Sequence, residues 1–184
     1  MNTVKKYAYF EWPLRADIEG LKNPFAEVSL KAVVTGPDGE KRLDGFYDGG
    51  DRFVIRYMPQ SEGAFTLVTR SNLSSLDKLT ASFTATPAAE GDHGPVGVSG
   101  MHFRHADGAR AFVMGTTAYV WHHRPAEIRG KTLETFSAYG FNKIRMLFFP
   151  KHYTGGYGAI DVSYEPPCYP FEGKPGAFDF TRPN

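Results

Sequence analysis

The chain holds one cysteine, Cys168, among its 184 residues, so no disulfide can close within it. Its composition therefore does not demand an oxidising compartment. Pro167, Tyr169 and Pro170 flank that cysteine and suit a rigid loop better than a nucleophile. Long apolar runs are missing, and none approaches membrane-spanning length. The first residues, Met1-Asn2-Thr3-Val4-Lys5-Lys6-Tyr7, lack the apolar core of a signal peptide, which leads to an expected cytoplasmic location. A charge excess is missing too, because 21 basic residues stand against 20 acidic ones with no basic block. That balance argues against nucleic acid as a partner, and the absent apolar run argues against a membrane. There is no internal repeat and no low-complexity tract.

Metal and cofactor signals are incomplete. Gly130-Lys131-Thr132 has the look of a phosphate-binding loop, but Pro125 stands where that pattern needs glycine. Asp48 and Asp51 lack the spacing and closing glutamate of a calcium loop. His122, His123 and His152 make a poor zinc set, since neighbouring strand residues point apart and no acid stands beside them at helical spacing. No cofactor and no metal are expected.

What the chain does have is aromatic residues and turn formers. Ten Tyr and 15 Phe are accompanied by 20 Gly and 13 Pro. Val28, Leu30, Ala32 and Val34 alternate with polar residues, as on a half-buried strand. Phe53, Ile55 and Tyr57 repeat the pattern, as do Phe65 with Leu67, and Ala81 with Phe83 and Ala85. Gly36-Pro37-Asp38-Gly39, Asp48-Gly49-Gly50-Asp51 and Pro59-Gln60-Ser61-Glu62-Gly63 supply the turns. This spacing predicts an immunoglobulin-like antiparallel β-sandwich over residues 1–90. Periodicity fades over residues 87–96, read as a linker. Residues 101–113 then read as a hairpin turning at Asp107-Gly108.

A strand–helix–strand unit follows. Residues 111–120 and 142–149 read as strands. Between them Thr132 is the expected N-cap, Leu133 and Phe136 share a face, and Gly140 ends the helix. The two strands should be parallel. The rest of the chain reads as loop. Parallel α/β folds bind ligands beyond the C-terminal ends of their strands. There the sequence places Trp121, His122, His123 and Arg124 after the first strand, and Lys151, His152 and Tyr153 after the second. Indole, imidazole and guanidinium suit a sugar rim, although a plain surface loop also accounts for them. Arg145, inside an apolar strand, should find a carboxylate, in a site or in a structural ion pair, unless it stands at the strand end in solvent. The chain stops too soon after Tyr153 to complete such a fold.

Several segments together resemble a known family. Phe10-Glu11-Trp12-Pro13, Asn23-Pro24-Phe25, Gly45-Phe46-Tyr47-Asp48-Gly49, Arg56-Tyr57-Met58-Pro59 and Gly63-Ala64-Phe65 are similar to the immunoglobulin-like N-terminal domain, DUF5060, of bacterial putative glycoside hydrolases. Residues 115–121, 141–146, 149–153, 169–173 and 178–184 resemble the start of the DUF4038-type (β/α)8 barrel that follows it. The resemblance implies a domain of residues 1–90 and, over residues 97–184, a hairpin and the first βαβ unit of a truncated barrel. It implies the N-terminal fragment of a retaining glycoside hydrolase acting on a plant or microbial polysaccharide or oligosaccharide. The two catalytic carboxylates would come from later strands, and neither Glu165 nor Asp179 matches a catalytic position. By the same resemblance Arg145 would hold the nucleophile's carboxylate, and Trp121, His122, Lys151, His152 and Tyr153 would line the glycone pocket. The alternative is a free-standing carbohydrate-binding or structural module. Two barrel strands cannot close, so self-association through exposed edges is expected.

Overall fold

Alternating apolar side chains build the first part of the molecule. The computed structural model describes residues 2–147, 155–157, 160–161, 169, 171–174 and 176–183. Eight strands come first: β1 (Asn2–Lys5), β2 (Phe10–Arg15), β3 (Leu30–Gly36), β4 (Gly39–Asp44), β5 (Phe46–Tyr47), β6 (Arg52–Tyr57), β7 (Gly63–Ser71) and β8 (Thr80–Thr86). They form a five-stranded sheet in the order β1-β8-β7-β3-β4 and a three-stranded sheet in the order β2-β6-β5. Leu30, Ala32 and Val34 of the first sheet share one buried cluster with Phe53, Ile55 and Tyr57 of the second. Phe65, Leu67, Phe83 and Ala85 also belong to it, with Val28 and Ala81 packed against it partly buried, so the expected β-sandwich is present and the expected faces turn inward. Phe83 stacks on Phe10 at 4.4 Å and on Phe65 at 5.0 Å between ring centres. Each such pair adds about 0.5–1.5 kcal/mol beyond burial.

The sandwich is not wholly antiparallel. β1 runs parallel to β8, with Asn2 opposite Phe83 and Lys5 opposite Thr86. Parallel neighbours need a long connection, and here the whole sandwich lies between them in sequence. Gly45 marks the passage from β4 to β5, from one sheet to the other. Its N–H donates to the Leu30 carbonyl at 2.8 Å. A Cβ at Gly45 would stand 2.6 Å from Leu30 Cδ2 and 2.7 Å from Ile55 Cδ1. Between β2 and β3 lies a single helical turn, α1 (Pro24–Glu27). Asn23 caps it by accepting from the Phe25 N–H at 3.1 Å.

Two compact units divide at Ala111 and Phe112. The first unit includes a hairpin of β9 (Val96–Ser99) and β10 (His102–His105). It turns at Gly100 and Met101, where Gly100 adopts a φ of +60°. The expected turn at Asp107-Gly108 forms as well: the His105 N–H donates to the Ala109 carbonyl at 2.9 Å and the Ala111 N–H to the Phe103 carbonyl at 3.2 Å, around an antiparallel bridge of Arg104 with Arg110. The β9–β10 hairpin is an additional one that precedes the Asp-Gly turn in the chain.

In the second unit, β11 (Gly115–Thr117), α2 (Ala126–Ala138) and β12 (Lys143–Arg145) form the expected strand, helix and strand. β11 and β12 pair in parallel, with Gly115 opposite Lys143 and Thr117 opposite Arg145. The helix begins well before Thr132, directly after Pro125. Good helix formers such as Ala126, Glu127 and Arg129 carry that first turn. The Thr132 hydroxyl, instead of capping, donates to the Ile128 carbonyl at 2.7 Å inside the helix. The other end matches expectation, with Gly140 at φ +74°. Residues read as loop carry two short antiparallel ladders, β13 (Gly156–Tyr157) with β14 (Ile160–Asp161), and β15 (Phe171–Lys174) with β16 (Ala177–Pro183).

Candidate functional site

Parallel pairing brings the C-terminal ends of β11 and β12 to one side. The ladder continues past the strands, because Ala118 N–H donates to the Arg145 carbonyl at 2.9 Å and Leu147 N–H to the Tyr119 carbonyl at 2.9 Å. At the opposite ends Asn142 acts as a staple. Its Nδ2 donates to the Phe112 carbonyl at 2.6 Å, and its Oδ1 accepts from the Met114 N–H at 2.9 Å. One amide side chain thus holds the approach to β11 against the start of β12.

Arg145 occupies the last position of β12 and is exposed. Its guanidinium lies 5.6 Å from the centre of the Tyr119 ring, a cation–π contact. The expected carboxylate partner is not found among the described residues. Because Arg145 is exposed, its guanidinium keeps its water and needs no buried counter-charge. Tyr119, which sequence reasoning passed over as a strand residue, is what positions it. The signal available was an aromatic two residues before Trp121.

Trp121, His122 and His123 form a single 3-10 turn after Val120. The indole Nε1–H donates to the Arg129 carbonyl of α2 at 3.1 Å, so the tryptophan is pinned to the helix and has only its ring face to offer a ligand. The His122 and His123 rings lie 3.7 Å apart at 47°. Burial first, and then the neighbouring His122, hold the His123 imidazole below the usual histidine range. A neutral imidazole is both donor and acceptor, as sugar hydroxyls require. The structure therefore brings Tyr119 and Arg145 into contact and places Trp121 and His122 on the segment that follows. Lys151, His152 and Tyr153 lie outside the described residues, as do Glu165 and Cys168. Asp179 is exposed on β16.

The decoy motifs have structural explanations. Gly130, Lys131 and Thr132 lie inside α2 rather than before it. Asp48 Oδ2 lies 3.1 Å from Arg52 Nε, and Asp51 pairs with Arg15. Among the described residues no group of three or more His, Cys, Asp or Glu is placed to hold a metal ion. No described helix is long and apolar enough to cross a membrane.

No curated protein matches the chain. Residues 3–72 match the family described as "Domain of unknown function (DUF5060)". The chain is also similar to the crystal structure of a putative glycoside hydrolase from Bacteroides vulgatus ATCC 8482, with 36% sequence identity and a TM-score of 0.84. That likeness covers 99% of this chain and 36% of the Bacteroides chain, so the present chain spans about a third of the length of the protein it matches.

Proposed function

We propose that the chain is the N-terminal part of a glycoside hydrolase acting on a plant or microbial polysaccharide or oligosaccharide. In this reading residues 1–90 are an immunoglobulin-like accessory domain, and residues 97–184 begin a DUF4038-type (β/α)8 barrel. The observation that carries it is the likeness to the Bacteroides protein over 99% of this chain. The parallel β11–β12 pair joined through α2 supports it, being the repeating unit of such a barrel. In this reading Trp121, His122, Arg145, Lys151, His152 and Tyr153 would line one wall of the glycone pocket, with the indole face for stacking and the basic groups for hydroxyls. Retaining hydrolysis needs an acid and a nucleophile about 5–5.5 Å apart, and those two carboxylates belong to strands beyond these.

The test is an assay of the 184-residue chain against a panel of aryl glycosides. No turnover is expected. Turnover abolished by Glu165→Gln or by Asp179→Asn would overturn the reading. The second reading, a free-standing carbohydrate-binding or structural module, is favoured by one observation, that the sandwich has a complete buried core of its own. A glycan array separates the two. Binding weakened in Trp121→Ala supports the pocket wall, and no change in any glycan signal on Trp121→Ala counts against it.

A further inference from the structure

The outer face of the β2-β6-β5 sheet carries a network that the core does not require. Glu11 of β2 stands directly opposite Arg56 of β6. Arg56 donates to Glu11 Oε2 from Nη2 at 2.7 Å and from Nε at 3.0 Å. Arg52 donates to the other oxygen, Oε1, at 3.0 Å and reaches Asp48 with its Nε. Held this way, the Arg56 guanidinium lies 5.1 Å from the centre of the Tyr9 ring and 5.2 Å from that of Phe46. Both rings remain open to solvent, Tyr9 at 61% and Phe46 at 38%. Val54, midway between Arg52 and Arg56 on the same face of β6, is fully buried and gives the network a packed floor.

Glu11, Phe46, Asp48 and Arg56 all fall in the segments that carry the family resemblance, yet none of them belongs to the buried cluster. We propose that this face is a saccharide-binding surface of the sandwich, formed by Tyr9, Phe46 and Arg56. The choice of a saccharide rests on the reading given under Proposed function, whereas the geometry of the surface does not depend on it.

The chemistry selects an uncharged oligosaccharide. Two arginines and two carboxylates neutralise one another within the network, which leaves no net charge to attract phosphate or an acidic polymer. The exposed Tyr9 and Phe46 rings offer apolar faces to the C–H face of a pyranose. Arg56 Nη1 and the Tyr9 hydroxyl have no partner among the described residues, so they are free to meet sugar hydroxyls. Because Glu11 already fixes Arg56, little side-chain freedom is lost when a ligand binds.

The test titrates the full chain with cellohexaose, xylohexaose, mannohexaose and laminarihexaose, followed by NMR. At least one should shift resonances of Tyr9, Phe46 and Arg56, with a Kd of about 1 mM or tighter. Tyr9→Ala and Phe46→Ala should each weaken binding about tenfold. Tyr9→Phe, which keeps the ring and the fold, should retain most of it, and Gly97→Ala, whose added Cβ meets open space, should leave it unchanged. No shift with any of the four sugars overturns the proposal. So does binding that survives Tyr9→Ala and Phe46→Ala together. Binding lost only in Trp121→Ala also overturns it, while leaving the pocket-wall reading in place.

Discussion

The Tyr57 hydroxyl donates to Asp38 Oδ2 across 2.7 Å, and the Gln60 N–H reaches the same oxygen at 2.8 Å. One carboxylate thus ties the turn between β3 and β4 to the end of β6. Burial, then the hydrogen bond to Asp38 and its negative charge, push the Tyr57 phenol above its ordinary value. Burial alone would raise the Asp38 carboxyl. Hydrogen bonds from Ser61, Gln60 and Tyr57, with the charge of Lys41, outweigh it and hold Asp38 below the usual carboxylate range.

Tyr57→Phe should therefore cost about 1 kcal/mol near neutral pH. A raised phenol contributes fully below its ordinary value near 10 and loses that contribution as pH rises further. A lowered carboxyl contributes fully above its ordinary value near 4 and loses that contribution as pH falls. The stability gap between wild type and Tyr57→Phe should narrow at both extremes. Urea melts across the pH range measure it, and a constant gap would refute the coupling.

Gly45→Ala should destabilise the sandwich by about 1–3 kcal/mol, the cost of forcing a methyl group into a packed core. The new Cβ would meet Leu30 and Ile55 from opposite sheets, and both side chains are buried. Gly97→Ala, whose Cβ would enter open space, should change stability little. Thermal melts of the two variants give the contrast, and equal shifts would contradict it.

Gly130→Ala should stabilise α2 by up to about 1 kcal/mol, because the residue is inside the helix and its Cβ would meet nothing. Among the described residues the helix buries none of its own and β11–β12 is a two-stranded pair, which leaves α2 with little described packing. Hydrogen exchange should be faster in α2 than in β3, β6 and β7. Slower α2 exchange in Gly130→Ala is the expected response. Equal protection of helix and sandwich in a monomer would overturn the account.

Much of the sandwich was legible because a strand with one buried face must alternate. Leu30-Ala32-Val34, Phe53-Ile55-Tyr57 and Phe65-Leu67 each declared their inner side. Val54 did not, since its burial on the opposite face depends on the side chains that cover it from β2 and β5. The helix was found but started too late, because Thr132 has the chemistry of a cap and also that of an i−4 donor. The strand-end cluster was legible as Trp121, His122 and Arg145. Its internal contacts were not, as the Tyr119–Arg145 stacking and the Trp121–Arg129 bond join positions whose spacing has no period.

Local pattern along the chain settled which faces are apolar, where the chain turns, and that a strand, a helix and a strand follow one another. Those are local matters, settled by side-chain period and by backbone preferences at glycine and proline. Only the tertiary structure decided that β1 would lie parallel to β8, that Gly45 would have no room for a side chain, and that Glu11 would fix Arg56 between Tyr9 and Phe46. Each of these depends on residues brought together from distant parts of the chain, and pairing at that range is set by the packing of whole sheets rather than by any local pattern.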